Sequence, residues 1–244
     1  MHSLLMDLDR IKDVNFTGRV TSIQGLLVEI AGVERYLSIG SRVRVATRDR
    51  RQVEWGVVGF RQNRALLMPY GSLEGVGLGC RAVVAEDQPV VYPDQSWLGR
   101  VIDGLGRPLD GGPALTSGTR PYPLRANPPP ANTRKRVGAK IGLGGRSVNT
   151  FISCCRGQRL GIFAGSGVGK SVLLSMMARY TEADVNVVGL IGERGREVQE
   201  FIEDDLGKAG LARTVVVVAT SDEPARVRRQ AAYMTLAVAE YFRG

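Results

Sequence analysis

The sequence predicts an α/β protein in two parts, a small N-terminal β-barrel followed by a parallel-sheet domain built round a phosphate-binding loop. Three observations predict it. Between about Val14 and Glu86, short β-rich runs are punctuated by glycine. Further on, the apolar run Leu160-Gly161-Ile162-Phe163 leads through a glycine loop into an apolar helix start. After that loop, apolar strands alternate with helical stretches as far as Gly244. The boundaries read as a helix or tail over residues 1–13, a barrel over 14–85 and a nucleotide-binding domain over 86–244.

The barrel rests on alternation. Asn15 to Ile23, Leu26 to Ile30, Arg42 to Ala46, Val53 to Phe60 and Ala65 to Pro69 are short runs, and Arg42-Val43-Arg44-Val45 has the two-residue period of a half-buried strand. Five or six such strands in about 70 residues suit a small closed barrel. An oligonucleotide-binding barrel places aromatics on its binding strands, whereas Phe16, Tyr36, Trp55, Phe60 and Tyr70 are scattered, so no nucleic-acid partner is expected. Ahead of the barrel, Leu4, Leu5, Leu8 and Ile11 fall at helical spacing.

Between the two parts, Leu98 to Gly111 holds two glycine turns followed by Arg-Pro and Asp-Gly, which predicts a tight loop with little regular structure. Asp103 to Gly106 spells D-x-x-G, a GTPase switch motif, but no N-K-x-D follows it and the match is coincidental. Pro121, Pro123 and Pro128 to Pro130 predict a stiff extended connector, and Ser147 to Ile152 a helix leading to the glycine loop.

The loop itself reads Ala164-Gly165-Ser166-Gly167-Val168-Gly169-Lys170-Ser171, with Val172 opening the helix. Glycines let successive backbone N–H groups turn inward round an anion, and the helix adds its positive end. Lys170 then reaches the β- and γ-phosphates of ATP, and the Ser171 hydroxyl ligates the Mg2+ that bridges them. Ala164 stands where the consensus has its first glycine, a relaxed match by a small residue.

Val185 to Ile191 and Thr214 to Ala219 are continuous apolar runs of the kind buried in parallel sheets, and a helix starts at Glu223-Pro224. Ligands bind at the carboxyl ends of such strands, which brings Glu193 to the same edge as the glycine loop. Its carboxylate suits the orientation of an attacking water, and the adjacent Arg194 the neutralisation of developing charge; the competing role is a helix-terminal carboxylate. Asp222 lies three residues beyond its apolar run and is placed in a loop, so no second, magnesium-side aspartate is read before Gly244.

Composition narrows the classes. The formal charge is +9, and 21 of the 33 basic but only 13 of the 24 acidic residues fall within 1–150. That basic excess reads as an arginine-rich solvated surface. Three cysteines without a C-x-x-C, and a single histidine at His2, argue against disulfides and a transition-metal site. The longest apolar run, Val215 to Ala219, is far short of the roughly 20 residues of a membrane span, and a soluble, cytoplasmic protein is expected.

With Leu98 to Gly111 (LGRVIDGLGRPLDG), Gly157 to Leu174 (GQRLGIFAGSGVGKSVLL) and Gly189 to Val198 (GLIGERGREV) in view, the chain resembles the flagellar protein-export ATPases, relatives of the rotary ATP synthase catalytic subunit and the type III secretion ATPases. The resemblance implies a RecA-like ATPase core, an N-terminal barrel that packs subunits into a homo-hexameric ring, Lys170 as phosphate ligand, Ser171 as magnesium ligand and Glu193 as catalytic glutamate. It also implies a place at the cytoplasmic face of a membrane export apparatus, with peripheral membrane contact. The implied partners are export regulator, stalk and export-gate proteins and the exported substrates. In that family the Walker B aspartate, the arginine finger and a helical domain follow the point where this sequence stops. The sequence therefore reads as the first part of such an enzyme, expected to bind nucleotide weakly without turning it over, and to leave an apolar strand edge unpaired. Two rival readings stand beside it, an RNA-translocating hexameric helicase with the same core and a non-catalytic nucleotide-binding fragment.

Overall fold

The structure, a computed structural model, describes residues 14–86, 89–165 and 167–244. The helix expected over residues 3–13 lies outside the described residues, as does Ser166 of the glycine loop. Two compact units divide between Val90 and Val91.

The first unit is a closed barrel. β1 (Thr17–Gln24), β2 (Leu27–Ala31), β3 (Arg42–Ala46), β4 (Gln52–Arg61), β5 (Arg64–Pro69) and β6 (Arg81–Glu86) close in the order β1-β2-β5-β4-β3-β6, every pair antiparallel. Alternation sets which side chains point inward: Val43 and Val45 are fully buried while Arg44 between them is exposed. Val28, Ile30, Val57 and Leu67 meet them round Trp55, itself without exposed surface. The β4–β5 hairpin turns through Gln62 and Asn63, at φ 47° and 57°, the left-handed pair that matches strand twist. Part of the arginine excess has internal work: Glu29, 4% exposed, is paired with Arg64 at 3.1 Å and Arg61 at 3.3 Å.

In the second unit, a two-residue pair joins β7 (Val90–Val91) to β9 (Tyr122–Pro123), and β8 (Val101–Asp103) lies between them in sequence. β10 (Lys140–Ile141) and β11 (Cys154–Cys155) form a short antiparallel ribbon flanking α1 (Arg146–Phe151). Then follow α2 (Lys170–Tyr180), β12 (Asn186–Ile191), α3 (Gly195–Glu200), a π-helical stretch over Phe201–Leu206, α4 (Gly207–Leu211), β13 (Thr214–Ala219) and α5 (Ala225–Arg243). The central sheet is parallel, in the order β12-β13-β8. β13 sits in the middle and is buried along its whole length.

Both faces of this sheet are covered. Val216 and Val218 join Val101, Val198, Phe201 and Leu206 on one side, where Ala178 of α2 also packs. On the other lies α5, whose buried Val227, Ala231, Met234 and Val238 recur at spacings of four, three and four, the stripe of a core-facing helix. The approach is close enough to need a glycine: a Cβ on Gly104 would come within 2.9 Å of the Ala231 nitrogen.

Two expectations are corrected. Leu98 to Gly111 is not merely a loop, since β8 lies inside it and pairs Val101, Ile102 and Asp103 with Val216, Val217 and Val218. The glycines masked a strand whose two apolar residues complete the flank of β13. Asp110 anchors its start: the Arg100 guanidinium at 2.6 Å, and the N–H groups of Val101 and Gly112, hold that carboxyl far below its ordinary range. Asp103 accepts the N–H groups of Leu105 and Arg107, so D-x-x-G is a turn.

The second correction concerns Leu160 to Phe163, expected as the strand before the glycine loop. Residues 158–165 form no strand, and Phe163 is 97% exposed. A parallel strand needs a neighbour's ladder, and both sides of β13 are taken by β12 and β8. Among the described residues β12 is paired on one side only, and an apolar cleft of about 470 Å³ walled by Leu174, Met177 and Phe201 runs along it.

The far end of α2 packs on the segment that precedes it. Gly144, at φ 81°, lies so close that an added Cβ would overlap the Tyr180 Cβ and stand 3.0 Å from its carbonyl carbon. Gly144→Ala combines a left-handed backbone with overpacking, and is expected to cost about 2 to 4 kcal/mol, read as a lower urea midpoint. An unchanged midpoint would show that this contact is not held in solution.

Candidate functional site

The glycine loop meets α2 at Gly169, which caps the helix in a left-handed conformation at φ 89°, with Gly167 at φ 77°. A side chain would strain both, and nothing lies within 4 Å of a Cβ built on Gly165, Gly167 or Gly169. These glycines therefore serve backbone conformation and clearance, not packing. The first bond closing the helix runs from the Leu173 N–H to the Gly169 carbonyl at 2.9 Å. The N–H groups of Lys170, Ser171 and Val172 thus head an eleven-residue helix whose positive end faces the loop.

Glu193 reaches the same place from the sheet. β12 ends at Ile191, Gly192 turns the chain at φ 80°, and the Glu193 carboxylate stands 3.9 Å from Lys170 Nζ. Both side chains are about two-fifths exposed, so a ligand can reach them. The loop after β13 braces this turn: Gly192 N–H donates to the Ala219 carbonyl at 2.7 Å, and Ser221 N–H to the Glu193 carbonyl at 2.9 Å. The competing role, a carboxylate beside the positive end of α3, needs no hydrogen bond, and Glu193 stands two residues before that helix begins at Gly195.

The remaining expected residues are placed as follows. Ser171 and Val172 line an open cleft of about 430 Å³ together with Glu193. Ala164, Gly165 and Val168 belong to the exposed loop. Arg194 is not brought to the Lys170–Glu193 pair through its guanidinium, which lies 3.8 Å from Glu197 and is largely exposed. Asp222 is fully exposed in the loop past β13, and its carboxyl is held below the ordinary range by the Thr220 hydroxyl.

Sequence reasoning missed the acidic wall of the cleft. Glu197, Glu200 and Asp204 line it with Glu193, and their spacing of four, three and four was the available signal for one helical face. Every charged residue lining the cleft is acidic, Asp205 included, and Lys170 stands against Glu193, so a triphosphate gains most there when its own charge is already partly neutralised. A hydroxyl and carboxylates form an oxygen-only donor set that fits magnesium, which keeps several waters and takes few protein ligands. Among the described residues no group of three or more His, Cys, Asp or Glu is arranged to hold a metal by itself.

Comparison with known proteins follows the same lines. Residues 144–244 match the ATP synthase alpha/beta family, nucleotide-binding domain. The chain is 55% identical over 243 residues to the flagellum-specific ATP synthase of Caulobacter vibrioides, covering all of this chain and 55% of that protein. It is 45% identical over 228 residues to the type 3 secretion system ATPase of Xanthomonas euvesicatoria, covering 93% of this chain and 51% of that one. Among solved structures, the assembled ATPase EscN in complex with its central stalk EscO, from the type III secretion system of enteropathogenic E. coli, superposes with a TM-score of 0.82. It is 35% identical over 93% of this chain and 54% of that one. The chain spans about half the length of the curated relatives it matches.

Proposed function

We propose, from the match of residues 144–244 to the ATP synthase alpha/beta family, nucleotide-binding domain, that this chain carries the ATP site of a hydrolase energising protein export for flagellar assembly. The observation that carries the reading is the approach of Lys170 Nζ to Glu193 at 3.9 Å, which joins the end of the phosphate loop to the end of a sheet strand. A γ-phosphate bound at the head of α2 takes Lys170 as its charge partner, while Glu193 stays within reach of a water on the far side of phosphorus.

Chemistry then needs little from the protein beyond position and charge. The loop amides and Lys170 hold the β- and γ-phosphates. Glu193 accepts a hydrogen bond from the water whose oxygen attacks phosphorus, the bond to the bridging oxygen breaks, and ADP leaves. Magnesium, when bound, would supply charge neutralisation at the phosphates, and Ser171 with the cleft carboxylates would hold it and its waters. Arg194, adjacent in sequence, reaches developing charge only after leaving Glu197.

Similarity to the assembled ATPase EscN with its central stalk EscO supports a homo-hexameric ring with a central stalk protein as partner; regulator, gate and exported proteins are proposed beside them. No helix of the described residues is long and apolar enough to cross a membrane; the proposed place is the cytoplasmic face of the export apparatus. Barrel aromatics form no run on which bases could stack, for Phe16 and Tyr36 stack on each other, Trp55 fills the core, and Phe60 is the one barrel-strand aromatic exposed among the described residues.

Two measurements test the proposal. Titration of this chain with a fluorescent ATP analogue and magnesium should show saturable binding that ATP displaces. Phosphate release by the protein extended to its relatives' length should proceed without RNA and gain nothing from poly-C. Absence of binding, or turnover that depends on RNA, would overturn the reading.

A further inference from the structure

α2 is held by the end remote from its phosphate loop. Arg213, the residue before β13, donates from one terminal nitrogen to the Ala183 carbonyl at 2.5 Å. From the other it reaches the carbonyls of Thr181 and Arg179 at 3.0 Å and of Ala178 at 3.3 Å. Asn186, at the head of β12, adds a bond from its amide to the same Ala178 carbonyl at 2.6 Å. Carbonyls at a helix C-terminus have no partner inside the helix. Here one guanidinium gathers those of the last turn and the connection after it, and ties them to the starts of two sheet strands.

At the other end the loop is exposed, and the glycines that shape it touch nothing. The direction in which α2 points Lys170 and Ser171 is therefore set not by the loop but by the packing of its body on the π-helical stretch and by the bonds at its C-terminal end. An eleven-residue helix is about 16 Å long, so a tilt of about 4° about that end moves its head by about 1 Å. A displacement of about 1 Å is enough to cost about a hundredfold in rate.

We propose that Arg213 is a positioning residue for the nucleotide site, its guanidinium fixing the angle of α2 to β12 so that Lys170 stays in register with Glu193 beyond the end of that strand. This rests on the proposed function. A cap that served stability alone would lower the melting temperature and leave the folded protein's affinity untouched.

The experiment compares the parent chain with Arg213→Gln, Arg213→Lys and Val238→Ala. Val238 is buried in α5, and its truncation is a control for lost stability. Each is titrated with a fluorescent ATP analogue and magnesium, well below the melting temperature that circular dichroism gives for it. Arg213→Gln is expected to weaken binding about tenfold, Arg213→Lys by about three- to fivefold because one ammonium cannot serve all four carbonyls, and Val238→Ala to stay within about twofold of the parent. Arg213→Gln binding within about twofold of the parent, or Val238→Ala weakened as much as Arg213→Gln, would overturn the assignment. Should Arg213→Gln not fold, Arg213→Lys decides: affinity reduced beyond that of Val238→Ala supports the assignment, and equal affinity overturns it. A parent that binds no nucleotide overturns the proposed function and this inference together, whereas a parent that binds with an indifferent Arg213→Gln overturns only the inference.

Discussion

Lys170→Ala is expected to abolish measurable ATP binding while leaving the fold in place. The side chain is the cation within reach of Glu193 at the head of α2, and the other groups the loop offers a phosphate are neutral amides. Charge-assisted contacts contribute about 1.5 to 3 kcal/mol each, or about ten- to more than a hundredfold in affinity. The acidic wall of Glu197, Glu200 and Asp204 raises the demand on this one charge. Against that, what Lys170 gives the unliganded chain is small. Its contact with Glu193 is 3.9 Å long and half open to water, the kind of pair worth about 1 kcal/mol at most. Affinity and stability should therefore separate: a titration with a fluorescent ATP analogue loses its signal, while the thermal transition moves little. Unchanged affinity would remove Lys170 from the site.

How far this was legible in the sequence depends on whether the signal was local. The barrel strands were readable because alternation is carried by adjacent residues, as in Arg42-Val43-Arg44-Val45, and the observed β3 spans Arg42–Ala46 as the alternation indicates. β12 and β13 were readable because Val187 to Ile191 and Val215 to Ala219 are unbroken apolar runs, although only β13 is buried along its whole length. Pairing is not local, and the two corrected segments show it. Val101 and Ile102 were hidden among glycines and became a strand because β13 lay beside them. Leu160 to Phe163 carried a good apolar run and lies outside the sheet, although β12 is paired on one side only among the described residues, so an apolar run alone did not secure pairing.

The site divides in the same way. Its glycine loop and Lys170 belong to one contiguous motif, and Glu193 followed from the rule that ligands gather at strand ends. Arg213 carried no such signal. It lies 43 positions beyond Lys170, and its importance comes from carbonyls, which every residue has and no sequence displays. Arg194 was assigned by adjacency to Glu193, but its backbone is extended, at φ −76° and ψ 143°, where successive side chains point to opposite sides, and its guanidinium lies against Glu197.

Glu193→Gln, in the protein extended to its relatives' length, is expected to keep ATP binding and lose hydrolysis by about 10² to 10⁴-fold. The amide has the shape of the carboxylate and still offers a carbonyl oxygen, so the pocket is preserved. It loses the negative charge that draws a proton from the attacking water, and that charge matters most as the transition state forms. Binding should hold or tighten slightly, because the half-exposed contact with Lys170 is worth about 1 kcal/mol at most and Lys170 is freed for the phosphate. A fall in kcat with the dissociation constant nearly unchanged is the signature of an interaction made in the transition state. The measurement is steady-state phosphate release beside an equilibrium titration on the same variant. Near-normal turnover would return Glu193 to a structural part at the entrance of α3, and would move the search for the water-orienting group to the loop it is hydrogen-bonded to, where Asp222 lies one residue beyond Ser221.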